Sequence, residues 1–322
     1  MLDNSEEAPT DLYDEIGAGA TEWWKPPDAV FVDPKSPTRP ELYPEARALE
    51  NTLISHFDGH DLTLPPLLHV AEKVLSRLGS GGSGLAELAG DVGEDPVIAA
   101  AVLRMANSPL YRGMNKINAI QPALNRLGTK ALRTLMLHES LRSAVISRRG
   151  PQREWGENLW KRSLASAYVM RRIAELTGLD PEEAWLMGLL HDIGNIVVLR
   201  IAAGQGVFSG GGIDDEVFEY LCFECHQEFG ELIANAWRLP PTLHELIRDH
   251  HNYPTEENSL RAERLHLLLS DMICQLLGYM PFRPFDLLES RPVADLGLKD
   301  RKGFLELLEV LPAELAENLE AL

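Results

Sequence analysis

Twice in this chain an Asp-Pro dipeptide stands directly ahead of a long apolar run, at Asp95-Pro96 and at Asp180-Pro181. An aspartate side chain can accept the orphan N–H groups of a first helical turn, and proline suits that turn because its missing N–H is not needed there. Each dipeptide therefore marks a helix start. The first continues over 97–106 and is ended by Asn107-Ser108-Pro109. The second is followed by Glu182 and Glu183, whose charge suits a helix N-terminus. The same reading predicts helices over about 157–176, 217–237, 242–251 and 260–277, with Gly178 and Gly278 as stops. No alternating run of strand length interrupts them. The expected class is all-α, a multi-helix bundle with an N-terminal helical subdomain.

The flanks read differently. Residues 1–45 start acidic, then carry Pro26, Pro27, Pro34, Pro37, Pro40 and Pro44 without helical periodicity, as an extended segment would. Trp23, Trp24 and Phe31 form an apolar island in it, expected to pack as a strap on the helical body, with partner binding as the alternative. The expected division is 1–45 extended, 46–145 N-terminal helical part, 146–280 second helical subdomain, and 281–322 a helical extension. Within that extension one helix is expected around Phe304 to Leu311 and a short last one from Pro312 to Leu322.

Lys plus Arg number 30 against 49 Asp plus Glu, a net charge of −19. Such an excess repels phosphate backbones and anionic lipid, so neither nucleic acid nor a membrane is an expected partner. The most apolar stretch, 184–203, is interrupted by His191, Asp192 and Arg200 and does not read as a membrane span. The first residues carry no secretory signal pattern, and three cysteines do not make a disulfide framework, so a cytoplasmic location is expected. The glycine-rich run 79–84 lacks the Lys and Ser/Thr of a phosphate-binding loop.

The informative residues are polar ones stranded among apolar neighbours. His191-Asp192 interrupts 185–193, Asp271 sits inside 267–273, and His226 and the doublet His250-His251 recur between them. Imidazole and carboxylate together suit zinc, iron or manganese, and a helical bundle builds metal sites from inward-facing residues on several helices. A histidine held to a carboxylate for packing alone would leave the same trace. Cys222-Phe223-Glu224-Cys225-His226 matches a haem-attachment pattern, but in a helix its cysteines merely share a face, and no haem is expected.

These stretches resemble the HD superfamily of metal-dependent phosphohydrolases, and within it the HDOD branch. The resemblance rests on Asp95-Pro96 with 103–108, on 117–128, on Leu159-Trp160 with Ser163, on 188–194, and on 237–240 before His250-His251. It implies a helical output or scaffold module in bacterial signalling, acting through a protein partner or small ligand, usually without catalysis. The alternative it carries is a metal-dependent phosphohydrolase acting on a nucleotide or cyclic dinucleotide, with His191, Asp192, His226, His250, His251 and Asp271 as its metal set. Three departures weigh against that enzyme. Where the superfamily's first histidine falls, this chain has Arg162, which cannot ligate a metal. Asn195 replaces the lysine of cyclic-di-GMP-hydrolysing relatives, and Asn252-Tyr253-Pro254 is too short for their substrate loop. The expectation is thus a vestigial site in which His191, Asp192, His250 and Asp271 converge. Arg162 is expected to reach in, pair with Asp192 or Asp271, and leave no cofactor bound, a divalent metal being the alternative.

Overall fold

The computed structural model describes residues 51, 64–80, 84–111, 113–146, 152–204, 215–280 and 285–321. The apolar island of Trp23, Trp24 and Phe31 lies outside the described residues. Among those described, all regular structure is helical, in α1 (His69–Ser80), α2 (Leu85–Gly93), α3 (Pro96–Asn107), α4 (Ile120–Val145), α5 (Gln152–Thr177), α6 (Pro181–Leu190), α7 (Asn195–Gly204), α8 (Asp215–Ala236), α9 (Pro241–Asp249), α10 (Arg261–Leu276), α11 (Arg291–Asp295) and α12 (Lys302–Ala321).

The two Asp-Pro starts are capped as their chemistry requires. Asp95 accepts from the N–H groups of Val97 and Ile98, and Asp180 from those of Glu182 and Glu183. Asp95→Ala is expected to lower stability by about 1 kcal/mol, read as a shifted denaturation midpoint at constant slope. Gly178 and Gly278 take positive φ just beyond α5 and α10.

Two apolar cores organise the chain. The first gathers Ala71, Val74, Leu88, Val102, Leu124 and Leu132 from α1 to α4. The second is larger and is centred on α5 and α6, with α7, α8, α10 and α12 packed around them. Helix α4 serves both, since Met136 belongs to the first core while Leu137 and Leu141 belong to the second. The apolar stretch Pro181–Ala203 has the length and composition to cross a membrane, but 83% of its apolar 18-residue window is buried inside the fold. It is broken by the turn at 191–194.

The C-terminal extension corrects one expectation. Residues 302–321 form a single helix that carries Pro312 inside it, not two helices divided there. Leu308, Leu311 and Leu315, on both sides of the proline, are fully buried in the second core. Burying each is worth about 1.5–3 kcal/mol, so that the three together outweigh the roughly 3 kcal/mol cost of an interior proline.

Candidate metal centre

Four elements bring the polar residues together. His191 and Asp192 sit in the turn between α6 and α7, His226 on α8, His250 and His251 just past the end of α9, and Asp271 on α10. Helix α9 ends at Asp249, two residues earlier than its periodicity predicts, and His250 caps it with its backbone still in the helical region.

Small residues make this convergence possible. A Cβ on Gly194 would lie 1.8 Å from the carbonyl oxygen of His226 and 2.6 Å from the N of Gly230. Only glycine lets the turn press against the α8 backbone, and that contact carries Asp192 to His226. On the other side, a Cβ on Gly188 would lie 2.6 Å from the Ser166 carbonyl oxygen. Ser270 Oγ donates to that same carbonyl at 3.2 Å. Helices α5, α6 and α10 therefore meet at Ser166, which sets His191 beside Asp271.

The geometry inside the cluster is that of electron-pair donors facing one another. Three imidazoles have Nδ1 against a backbone carbonyl: His191 to Gly188 at 2.9 Å, His226 to Cys222 at 2.7 Å, and His250 to Ile247 at 3.0 Å. A carbonyl only accepts, so each Nδ1 carries the proton, and in the neutral ring each Nε2 presents a lone pair inward. His226 Nε2 lies 3.1 Å from His250 Nε2 and 3.1 Å from His251 Nε2. Asp192 Oδ1 lies 3.4 Å from both His226 Nε2 and His250 Nε2. His191 Nε2 and Asp271 Oδ1 are 3.5 Å apart, both buried, and neither makes a hydrogen bond.

The electrostatics follow from this crowding. Burial opposes charge on Asp192, yet the imidazoles of His191, His226 and His250, wherever they carry a second proton, hold its carboxyl well below the usual range. Asp271 is pushed up to about 8 by burial and by the neighbouring Asp192. Burial also pushes His226 down to about 4, so it is neutral at physiological pH, and its Nε2 lone pair meets the inward-facing Nε2 of His250 at 3.1 Å, an arrangement in which lone pairs repel. A cation between them removes the repulsion. Metal–nitrogen bonds of about 2.1 Å place neighbouring ligands roughly 3.0–3.4 Å apart, the spacing seen here. The orphaned buried acceptors and the donor set fit a divalent cation held by His191, Asp192, His226 and His250, with Asp271 and His251 alongside. His251 stands exposed at the rim, its ring 5.1 Å from that of Phe223.

Arg162 does not do what the sequence suggests. Its guanidinium forms a two-pronged pair with the carboxylate of Glu219 on α8, one prong at 2.9 Å, and not with Asp192 or Asp271. Glu219 stands three residues before Cys222 and seven before His226, on the same helical face, and so competes from closer range. That spacing was the signal by which Glu219 could have been found, but an acid on a helix ordinarily reads as solvated. Arg162 still faces the cluster across a small cavity that it lines with Ser163, Asp192 and Asn195, and that has room for about one water molecule. Asn195, 5% exposed, leaves its Oδ1 unpartnered there. Cys222 and Cys225 are buried inside α8, their expected place.

Known proteins share this architecture. A candidate metal-dependent phosphohydrolase from Shewanella amazonensis SB2B matches with a TM-score of 0.68 at 20% identity, over 84% of this chain and 99% of that one. An HDOD domain protein of unknown function from Geobacter sulfurreducens matches with a TM-score of 0.64 at 23% identity, over 85% and 98%. At these identities the likeness shows the fold alone. An uncharacterized protein of Treponema pallidum is 25% identical over 182 residues, which are 53% of this chain, and the match spans only 34% of that relative's length. The HDOD domain family profile matches residues 64–253, from the first described helix through the His doublet and well over half the chain. With its helical order and its His-Asp turn in place, the chain belongs to the HDOD family.

Proposed function

We propose that this chain is a regulatory module in bacterial cytoplasmic signalling that binds a divalent cation, does not hydrolyse phosphate esters, and acts on a protein partner. The observation that carries this reading is the Arg162–Glu219 pair. By the resemblance it stands at the position of the HD superfamily's first metal ligand, and the cavity beside it has room for about one water molecule. The sequence-based argument against a metal was that Arg162 would neutralise the carboxylates. Glu219 pairs with Arg162 in place of Asp192 and Asp271, which supports a donor cluster that takes a cation. When bound, the cation supplies a cross-link between four elements of the fold, and its binding energy adds to folding stability. The acidic surface, at −19 net charge, favours a protein partner over nucleic acid.

The second reading is a metal-dependent phosphohydrolase. The donor convergence favours it, and so does the fold shared with the Shewanella protein. The test is turnover of bis(p-nitrophenyl) phosphate and of cyclic di-GMP by the chain loaded with manganese or iron. The regulatory reading expects no product above the metal-only control. Turnover that disappears in Asp192→Ala would establish the enzyme instead.

A further inference from the structure

Helix α6 has its two ends in two different places. Its C-terminal end runs into His191 and Asp192. Its first turn lies against the N-terminal bundle, in a seam of charged contacts. Tyr111, in the loop after α3, donates its hydroxyl to both Glu182 carboxylate oxygens at 2.7 and 2.9 Å. Arg171 of α5 donates to the same carboxylate at 2.5 Å, and its guanidinium lies 5.1 Å from the Tyr111 ring centroid. Two residues of α4 complete the seam, Lys130 on Asp180 at 2.6 Å and Arg133 on Glu183 at 2.6 Å.

Between these ends the helix has no slack. Every residue from Ala184 to Leu190 is buried, and Gly188 meets the α5 backbone at a distance no Cβ would tolerate. A ten-residue helix is a rod about 15 Å long, and close-packed interiors transmit small shifts instead of absorbing them. The Glu182 and Arg171 side chains are only 18% and 11% exposed, so their pairing is weakly screened by solvent.

We propose that α6 couples the seam to the metal cluster, so that cation binding at His191 and Asp192 tightens the docking of the N-terminal bundle, and loosening that docking weakens cation binding. The inference rests on the metal reading above. Coupling between two sites is reciprocal by linkage, and couplings of this kind typically change affinity about 5–150-fold.

The test uses zinc as the probe and the variant Tyr111→Phe/Lys130→Ala/Arg133→Ala, which alters only the N-terminal side of the seam and no donor of the cluster. Zinc affinity is measured by competition with a chelating dye. Amide exchange over residues 113–119 is measured with and without zinc. The expected results are at least about fivefold weaker zinc binding by the variant, slower exchange in the wild-type protein when zinc is bound, and wild-type affinity in Lys299→Ala, which breaks a remote surface pair with Glu289. Should the triple variant not fold, Tyr111→Phe alone removes one hydroxyl and serves for the same comparison. Equal affinity in variant and wild type, with zinc bound by both, overturns the coupling and leaves the metal centre standing. No zinc binding by the wild-type protein overturns both.

Discussion

Gly194→Ala is expected to be among the most damaging single-methyl changes in this chain. The added carbon would sit 1.8 Å from the His226 carbonyl oxygen and 2.6 Å from the Gly230 nitrogen. Both are backbone atoms, so no rotamer change relieves the clash, and the His-Asp turn must move away from α8. Overpacking at such a contact costs about 3 kcal/mol or more, which for a domain of this size lowers the melting temperature by roughly 6–12 °C. Displacing the turn also separates Asp192 from His226, so cation binding should fall with stability. Gly90→Ala is the matched control. Nothing lies within 4 Å of its added carbon, and the site is an exposed helix interior. There alanine should stabilise by about 0.5–1 kcal/mol. Thermal melts of the two variants should therefore move in opposite directions. A Gly194→Ala melt at the wild-type temperature would mean that the turn does not press on α8 as described.

Arg162→Ala is expected to cost about 2–3 kcal/mol. Removing one partner of a fully buried pair typically costs 3–5, but the Glu219 side chain keeps 27% exposure and part of its hydration. The change strands the Glu219 carboxylate without its cation. The double variant Arg162→Leu/Glu219→Leu should recover most of the loss, because two apolar side chains leave no stranded charge. A double-mutant cycle by urea denaturation checks the assignment. A large coupling of Arg162 to Glu219 and a small one to Asp192 is expected, and the reverse would restore the pairing read from sequence.

Much of the fold was legible because its helix ends are written in local chemistry. Asp95 and Asp180 cap through their own side chains, and Gly178 and Gly278 stop helices within a few residues of where the pattern fades. The cluster was legible for a different reason. His191, Asp192 and Asp271 are polar residues in apolar surroundings, and burial at that cost demands partners. What sequence could not give was the choice of partner. Arg162 had three acidic candidates within plausible reach, and Glu219 won through the packing of α5 on α8, a tertiary fact. Pro312 was misread for a similar reason, since local preference argued for a break and the burial of Leu308, Leu311 and Leu315 overrode it. The seam around Glu182 left no signal, because charged first-turn residues suit a solvated helix start equally well.

If the inward-facing lone pairs of His191, Asp192, His226 and His250 hold a divalent cation as proposed, elemental analysis with zinc titration will find it. The expected result is about one equivalent bound to the wild-type protein, a melting temperature lowered by chelation, and loss of both effects in Asp192→Ala. A wild-type protein that takes up no zinc, manganese or iron, or an Asp192→Ala variant that binds as the wild type does, would contradict it.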